Sequence, residues 1–321
     1  MNLINNIKAH YHNNFIADNL QKNNILEIKE YFKKINQKNS KEFIDLSKKY
    51  IYQLHQHQDA DIFFDKSLIW LNSFDKSDLD GLKKFLNYYF VKTNYQNFVI
   101  NSYAHFLDQI MNFYNQNIKS VSFKDLLSLS SLYQYLITLN NAPNDVYIEN
   151  TAAFFEYEGK NYMIQPQTTA CYILMERNPI ELYLHYKNLY GKEYALNAIC
   201  NLDKSHSTYI TDSQFELQEN KQSWATNSKS WKDPNVLLSH RGLVVLMDEL
   251  INDPMSIFSN IIAHMKESSI NIELNYDVIQ NFVNEHQNLF QKSPSIEISQ
   301  NEKKILQREF GSEGIDIEEF L

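Results

Sequence analysis

ACYILMERNPIELYLHYKNLYG, residues 170–191, is the stretch on which the fold turns. An apolar run from Ala170 to Met175 ends in Glu176-Arg177-Asn178-Pro179 and passes into an aromatic-rich segment with helical spacing. Six apolar residues in succession read as a strand buried on both faces. Proline suits the first turn of a helix, where its missing N–H costs nothing. A strand that ends on an arginine just before a helix delivers that arginine to the carboxyl edge of a sheet, where open α/β folds bind ligands. At such an edge a guanidinium can grip a phosphate with two hydrogen bonds, and the free N–H groups of the helix start add partial positive charge. The plainer reading of the same residues is an arginine that caps the sheet edge or pairs with Glu176 or Glu181.

Downstream, RGLVVLM at 241–247 repeats the pattern of an apolar strand leading into a helix, and Asp253-Pro254 reads as another helix start. Upstream, DVYIEN is a buried strand, and AFFEYEGKNYMIQ is two strands turning at Glu158-Gly159-Lys160-Asn161. The tail from about residue 275 is helical. Before the break at Asn140–Asp145 the chain reads as helices throughout, apart from the short DIFF at 61–64. NNILEIKEYFKKI, SKEFIDLSKKYIYQL, KSDLDGLKKFLNYYF (with Ser77 as a cap), NFVINSYAHFLDQIMNFY and SFKDLLSLSSLYQYLITL all carry apolar faces at helical spacing. The expectation is an α-helical region over 1–142, packed on or inserted in an α/β core over 143–321 that ends in a helical tail.

Composition excludes several function classes. Of 321 residues 43% are hydrophobic and 14% aromatic, which is globular composition. The net charge is −9 without blocks of like charge, so general nucleic-acid binding is not expected; that needs clustered Lys and Arg. Two cysteines, Cys171 and Cys200, are too few for a disulfide framework or a zinc cluster. The amino-terminal residues carry no apolar core of signal-peptide length, and runs such as LVVLM fall far short of a membrane span. A cytoplasmic protein is the expectation. Six glycines among 321 residues, about 2% against an average near 7%, form neither G-x-G-x-x-G nor G-x-x-x-x-G-K-[ST]. An ordinary dinucleotide fingerprint and an ordinary P-loop are thereby set aside. The abundance of Asn, Lys and Ile points to an AT-rich, bacterial-type coding sequence.

ILMERNPIELYLHYK resembles the 3′-phosphate-binding segment of PAPS-dependent sulfotransferases, in which an apolar strand leads into Arg, Asn or Asp, often Pro, an acidic residue and a helix. Arg177, Asn178, Pro179 and Glu181 fit that register. FELQENKQSWATNSKSW at 215–231 is similar to a Trp-containing segment of bacterial members. HRGLVVLMDELINDPMSIFSNIIAHM at 240–265 is similar to the family's strand and its Asp-Pro helix start. The likeness covers roughly 145–265. It implies a P-loop-like α/β core with a parallel sheet, binding PAPS or PAP and transferring a sulfuryl group to a hydroxyl or amine of an unknown acceptor. It also implies that Arg177 holds the 3′-phosphate, supported by His185, which stands where the family has serine. The family's 5′-phosphosulfate loop, rich in Gly, Ser, Thr and basic residues after the first strand, has no evident counterpart in residues 1–140. Lys66 in Asp65-Lys66-Ser67 is the nearest fragment, and a solvated helix-start lysine is its plainer reading. The alternatives are an enzyme shortened at its amino end, a loop diverged beyond recognition, and a non-catalytic protein-interaction scaffold. A fourth is an unrelated helical binding protein, which a parallel sheet containing the Arg177 strand would exclude.

Other clusters carry less. His55, His57, Asp59 and Asp61 could bind a divalent metal, but their spacing at a helix end makes them diverge, and no metal is expected. Trp224 and Trp231, two helical turns apart, read as packing anchors that could also border a nucleotide. Cys171 reads as inert core.

Overall fold

The computed structural model describes residues 68–95, 99–102, 134, 145–149, 154–156, 160–162, 164–166, 168–200, 223–290, 298–312, 314, 316 and 320. The strands are β1 (Leu68–Asn72), β2 (Val99–Ser102), β3 (Asp145–Glu149), β4 (Phe154–Glu156), β5 (Lys160–Tyr162), β6 (Thr169–Glu176) and β7 (Gly242–Leu246). Five of them form one sheet in the order β2-β3-β1-β6-β7, every neighbouring pair parallel. β4 and β5 form a separate antiparallel pair, the hairpin expected around Gly159. The helices are α1 (Asp80–Lys92), α2 (Pro179–Tyr190), α3 (Lys192–Cys200), α4 (Trp224–Lys232), α5 (Pro234–Ser239), α6 (Met247–Asn252), α7 (Pro254–Glu267), α8 (Tyr276–Glu285) and α9 (Gln300–Ser312). The chain is thus α/β, a parallel sheet flanked by helices, and the unrelated all-helical alternative is excluded.

β1 and β6 lie at the centre, and every residue of both is buried. That burial explains their unbroken apolar sequences, since parallel strands covered on both faces have no reason to alternate. Cys171, Ile173 and Met175 of β6 join Ile69 and Leu71 of β1 in one core with Phe85 and Tyr89 of α1, Phe258 and Ile262 of α7, and Ile279 and Phe282 of α8. Phe85 stacks on Phe258 with ring centroids 3.9 Å apart, and Phe282 meets both rings edge-on. On the other face α4 covers the sheet. Asn72 donates to Asn227 Oδ1 at 3.4 Å, and Trp231 packs edge-on to Tyr172 at 4.8 Å. Trp224, Leu182, Tyr183, Ile199 and Phe310 gather α2, α3, α4 and α9 into a second core.

Two expectations are corrected. The part before residue 142 is not helical throughout: Leu68–Asn72 and Val99–Ser102 are strands, and both enter the central sheet. Each is only four or five residues long, and tertiary pairing overrides a weak local pattern over so short a span. Ser77 does not cap α1. The short 3-10 turn Lys76–Leu79 precedes that helix, and Asp75 caps the turn by accepting from Ser77 N at 2.9 Å. The expected helix starts at Pro179 and Pro254 are present. Asn178 accepts from Ile180 N and Asp253 from Ser256 N, each with proline in the first turn. DIFF at 61–64 lies outside the described residues.

One glycine is demanded by contact. A Cβ on Gly242 would overlap the Tyr172 ring at Cζ, and Tyr172 is anchored because its hydroxyl donates to the Trp231 carbonyl oxygen. Small size is therefore needed where β7 begins beside β6.

Replacing Phe258 by alanine removes the ring shared by α1, α7 and α8. The expected loss is about 3–5 kcal/mol, read as a lower denaturant midpoint at unchanged slope.

Candidate functional site

Because β1 and β6 are parallel neighbours with Asn72 opposite Leu174, the chain leaves both at the same edge of the sheet. After β1 comes Ser73-Phe74-Asp75-Lys76-Ser77-Asp78-Leu79; after β6 come Arg177, Asn178 and the start of α2. Phe74, Asp78, Glu176, Arg177, Trp224 and Ser228 line a shallow, open cleft at that edge. Sequence reasoning therefore placed Arg177 correctly, at the end of a parallel strand beside a helix start. It missed the β1 loop that forms the opposite wall.

The guanidinium is not idle. Arg177 Nη2 lies 2.5 Å from Asp78 Oδ1; the arginine side chain is 21% exposed and the aspartate 1%. The arginine thus pairs with a residue 99 positions earlier, brought close by strand pairing. The contact is too poorly aligned to hydrogen-bond Oδ1, while Oδ2 accepts from Ser73 Oγ at 3.3 Å. Burial pushes the Asp78 carboxyl up to about 7; Arg177 pulls it down, Asp75 pushes it up, the Ser73 hydroxyl lowers it and Asp80 raises it, in descending order of effect.

Glu176 is held separately. Lys232 Nζ reaches its two oxygens at 2.9 and 3.0 Å, and Ser228 donates its hydroxyl to the same carboxylate. Lys232 also lies 5.9 Å from the Trp224 ring centre. Asn178 has two tasks. Its Oδ1 caps α2 through Ile180 N at 2.8 Å, and its Nδ2 donates to the Phe320 carbonyl oxygen at 2.9 Å. The Phe320 ring stands edge-on to Trp224, a residue of the cleft wall, at 5.6 Å.

His185 lies two turns into α2, half-buried, its ring 5.8 Å from that of Tyr186 and outside the walls of the cleft. Tyr186 reaches the β1 loop, hydrogen-bonding to Asp75, and burial with that bond pushes its hydroxyl well above the ordinary tyrosine range. α2 is fixed from behind by Glu302 of α9. That carboxylate accepts from Tyr183 Oη at 2.7 Å and Lys187 Nζ at 2.7 Å, and from the Ser299 hydroxyl and amide. Trp224 and Trp231 are both buried packing anchors, as expected, and Trp224 also borders the cleft. Cys171 is buried, and burial pushes its thiol up to about 12, in keeping with inert core. Lys66, the His55–Asp61 cluster and residues 215–222 lie outside the described residues. Among the described residues no group of three or more His, Cys, Asp or Glu could hold a metal ion, and no helix is long and apolar enough to cross a membrane.

No family model and no curated protein sequence matches the chain. Among solved structures it is similar to mouse sulfotransferase SULT7A1 complexed with PAP, at 10% identity and a TM-score of 0.47, over 80% of this chain and 90% of that one.

Four groups hydrogen-bond or neutralise Glu302, and together they hold its carboxyl down at about 2 despite burial. A depressed carboxyl contributes stability that is complete above its unfolded value near 4.5 and is lost as pH falls through 2. Glu302→Gln should therefore lower thermal stability at neutral pH and converge on the wild type in acid. Midpoints measured across that window check it.

Proposed function

We propose that the cleft binds the 3′-phosphoadenylyl nucleotide PAPS, or its product PAP, and that the chain transfers the sulfuryl group to a hydroxyl or amine of an acceptor. The observation that carries this reading is the delivery of Arg177 by a central parallel strand to the carboxyl edge. There it stands beside the N-terminus of a 12-residue helix and opposite the loop after β1. Order and chemistry fit the sulfotransferase pattern that the sequence resembles. Arg177 takes the 3′-phosphate through its guanidinium, with the partial positive charge of the α2 N-terminus beside it. His185, where that family has serine, stands two turns into α2 and outside the cleft walls, so this reading rests the phosphate on Arg177 without it.

On this reading the loop after β1, Ser73-Phe74-Asp75-Lys76-Ser77-Asp78-Leu79, stands in for the family's 5′-phosphosulfate loop, and Ser73 and Ser77 are residues of the hydroxyl type expected there. The donor's 5′-phosphosulfate lies toward this loop. The acceptor oxygen or nitrogen forms a bond to sulfur, the bond from sulfur to the bridging phosphate oxygen breaks, and PAP leaves with that electron pair while the acceptor gives up its proton. Cationic and N–H groups around the leaving phosphate stabilise the charge that develops on it.

A specific observation also favours the second reading, a non-catalytic scaffold. The loop carries Asp75 and Asp78 where a phosphosulfate cradle relies on small residues and exposed amides, and Asp78 already occupies Arg177.

Titration of PAP into the purified chain separates the two. Binding by the wild type, with at least a tenfold loss in Arg177→Ala, is expected; about 1.4 kcal/mol or more is the ordinary worth of a charge-assisted phosphate contact. Because Arg177→Ala strands Asp78 as a buried carboxyl, the double variant Arg177→Ala/Asp78→Asn serves as the folded control. No heat at millimolar PAP in the wild type at any pH sinks the nucleotide reading.

A further inference from the structure

We infer that Asp78 is the resident counter-ion of the Arg177 site: it holds the guanidinium while the cleft is empty, and a phosphate-bearing ligand takes its place there by driving a proton onto it. The inference rests on the nucleotide reading and adds a regulation of that same site, the coupling of ligand binding to proton uptake.

The geometry comes first. Asp78 is almost fully covered, faces the cleft, and meets Arg177 at 2.5 Å through Oδ1, an oxygen that accepts no hydrogen bond. A phosphate arriving at Arg177 would put a second anion against this carboxylate in a poorly solvated corner. Two like charges at such a distance do not both stay ionised. Among the described residues Arg177 is the cation that contacts Asp78 directly, so a phosphate must share or displace that contact.

The groups that face Asp78 favour its protonation. Within its own loop are Asp75 and, at the start of α1, Asp80, both of which raise the carboxyl, and Ser73, which hydrogen-bonds Oδ2. From the end of β6 come Arg177 and Glu176, the latter already matched by Lys232 of α4. From α2 comes the Tyr186 hydroxyl, bonded to Asp75. One cation therefore stands against two further carboxylates, and with burial this brings the empty-site carboxyl to about 7. An acid raised in the folded state above its unfolded value near 3.8 binds its proton more tightly when folded, so stability falls as pH rises from about 4 toward 7. A bound anion raises the carboxyl further, so binding takes up a proton above neutrality and weakens as pH rises.

The test is calorimetric titration of PAP into the full chain and into Asp78→Asn, between about pH 6 and pH 9, in two buffers of different ionisation enthalpy. The phosphate's own ionisation near pH 6 affects both proteins alike and cancels in their ratio. The expected result is wild-type affinity that falls relative to Asp78→Asn by about tenfold per pH unit above neutrality, with approach to one proton taken up by the wild type and none by the variant. PAP binding with the same pH dependence in both proteins overturns the inference and leaves the nucleotide reading standing. Binding by neither overturns both. The two-buffer comparison on the wild type needs no variant, so it decides the matter even where Asp78→Asn misfolds; binding without proton uptake at about pH 8 sinks the proposal.

Discussion

The parallel pairing of β1 with β6 is the constraint on which the rest of the molecule depends. Both strands are buried on both faces, so neither can slip or fray without exposing a continuous apolar ribbon. Parallel direction makes their exits coincide, and this alone brings residues 73–79 against residues 176–178, about 100 positions apart in sequence. Helices covering the two faces then have fixed work. The Phe85, Phe258 and Phe282 rings seat α1, α7 and α8 below the sheet, while Trp224, Trp231 and Glu302 lock α2, α4 and α9 above it. The cleft is the place where two strands have ended and the covering helices have only begun.

Such an edge has an electrostatic problem, and the chain solves it pairwise. Glu176 and Asp78 are buried carboxylates a few residues from a helix start, and each is given one cation, Lys232 and Arg177 respectively. Glu176 is also hydrogen-bonded by Ser228, which leaves it well matched. Asp78 is not: one of its oxygens has an ion pair without a hydrogen bond, and two more carboxylates lie near. Burial costs a charge more than a single pair returns when the remaining lone pairs go unsatisfied. The less satisfied of the two carboxylates is thus the one that shares the arginine. A cation whose present partner is poorly satisfied is the more easily transferred to a better anion.

Much of this was legible in sequence where the chemistry is local. β6 announced itself by six successive apolar residues, and Asn178-Pro179 and Asp253-Pro254 by the cap-then-proline pattern, because capping needs only neighbours along the chain. β1 was hidden. Leu68-Ile69-Trp70-Leu71 is a four-residue apolar run within a region of helical periodicity, and so short a run cannot be told from a buried helical turn by period. The usable signal lay just past the run. Asn72-Ser73-Phe74-Asp75-Lys76-Ser77 has turn and capping chemistry, which a helix continuing through it would not tolerate well. β2 offered less, with only Val99 and Ile100 apolar among four residues. The Asp78–Arg177 pair was beyond reach, since it exists only once strand order is known.

The scarcity of glycine bears on what kind of anion site this can be. A phosphate cradle made of backbone amides needs residues without Cβ where the chain approaches the anion, and residues 73–79 contain none. Gly81 is the first glycine after β1, and it lies inside α1. Side chains, the Arg177 guanidinium and the Asp78 carboxyl among them, would then serve the proposed site in place of a backbone nest. A backbone nest carries a fixed partial charge and binds anions at any pH. If Arg177 and Asp78 form the proposed site, its charge depends on one proton and its affinity for phosphate varies with pH where that proton is exchanged.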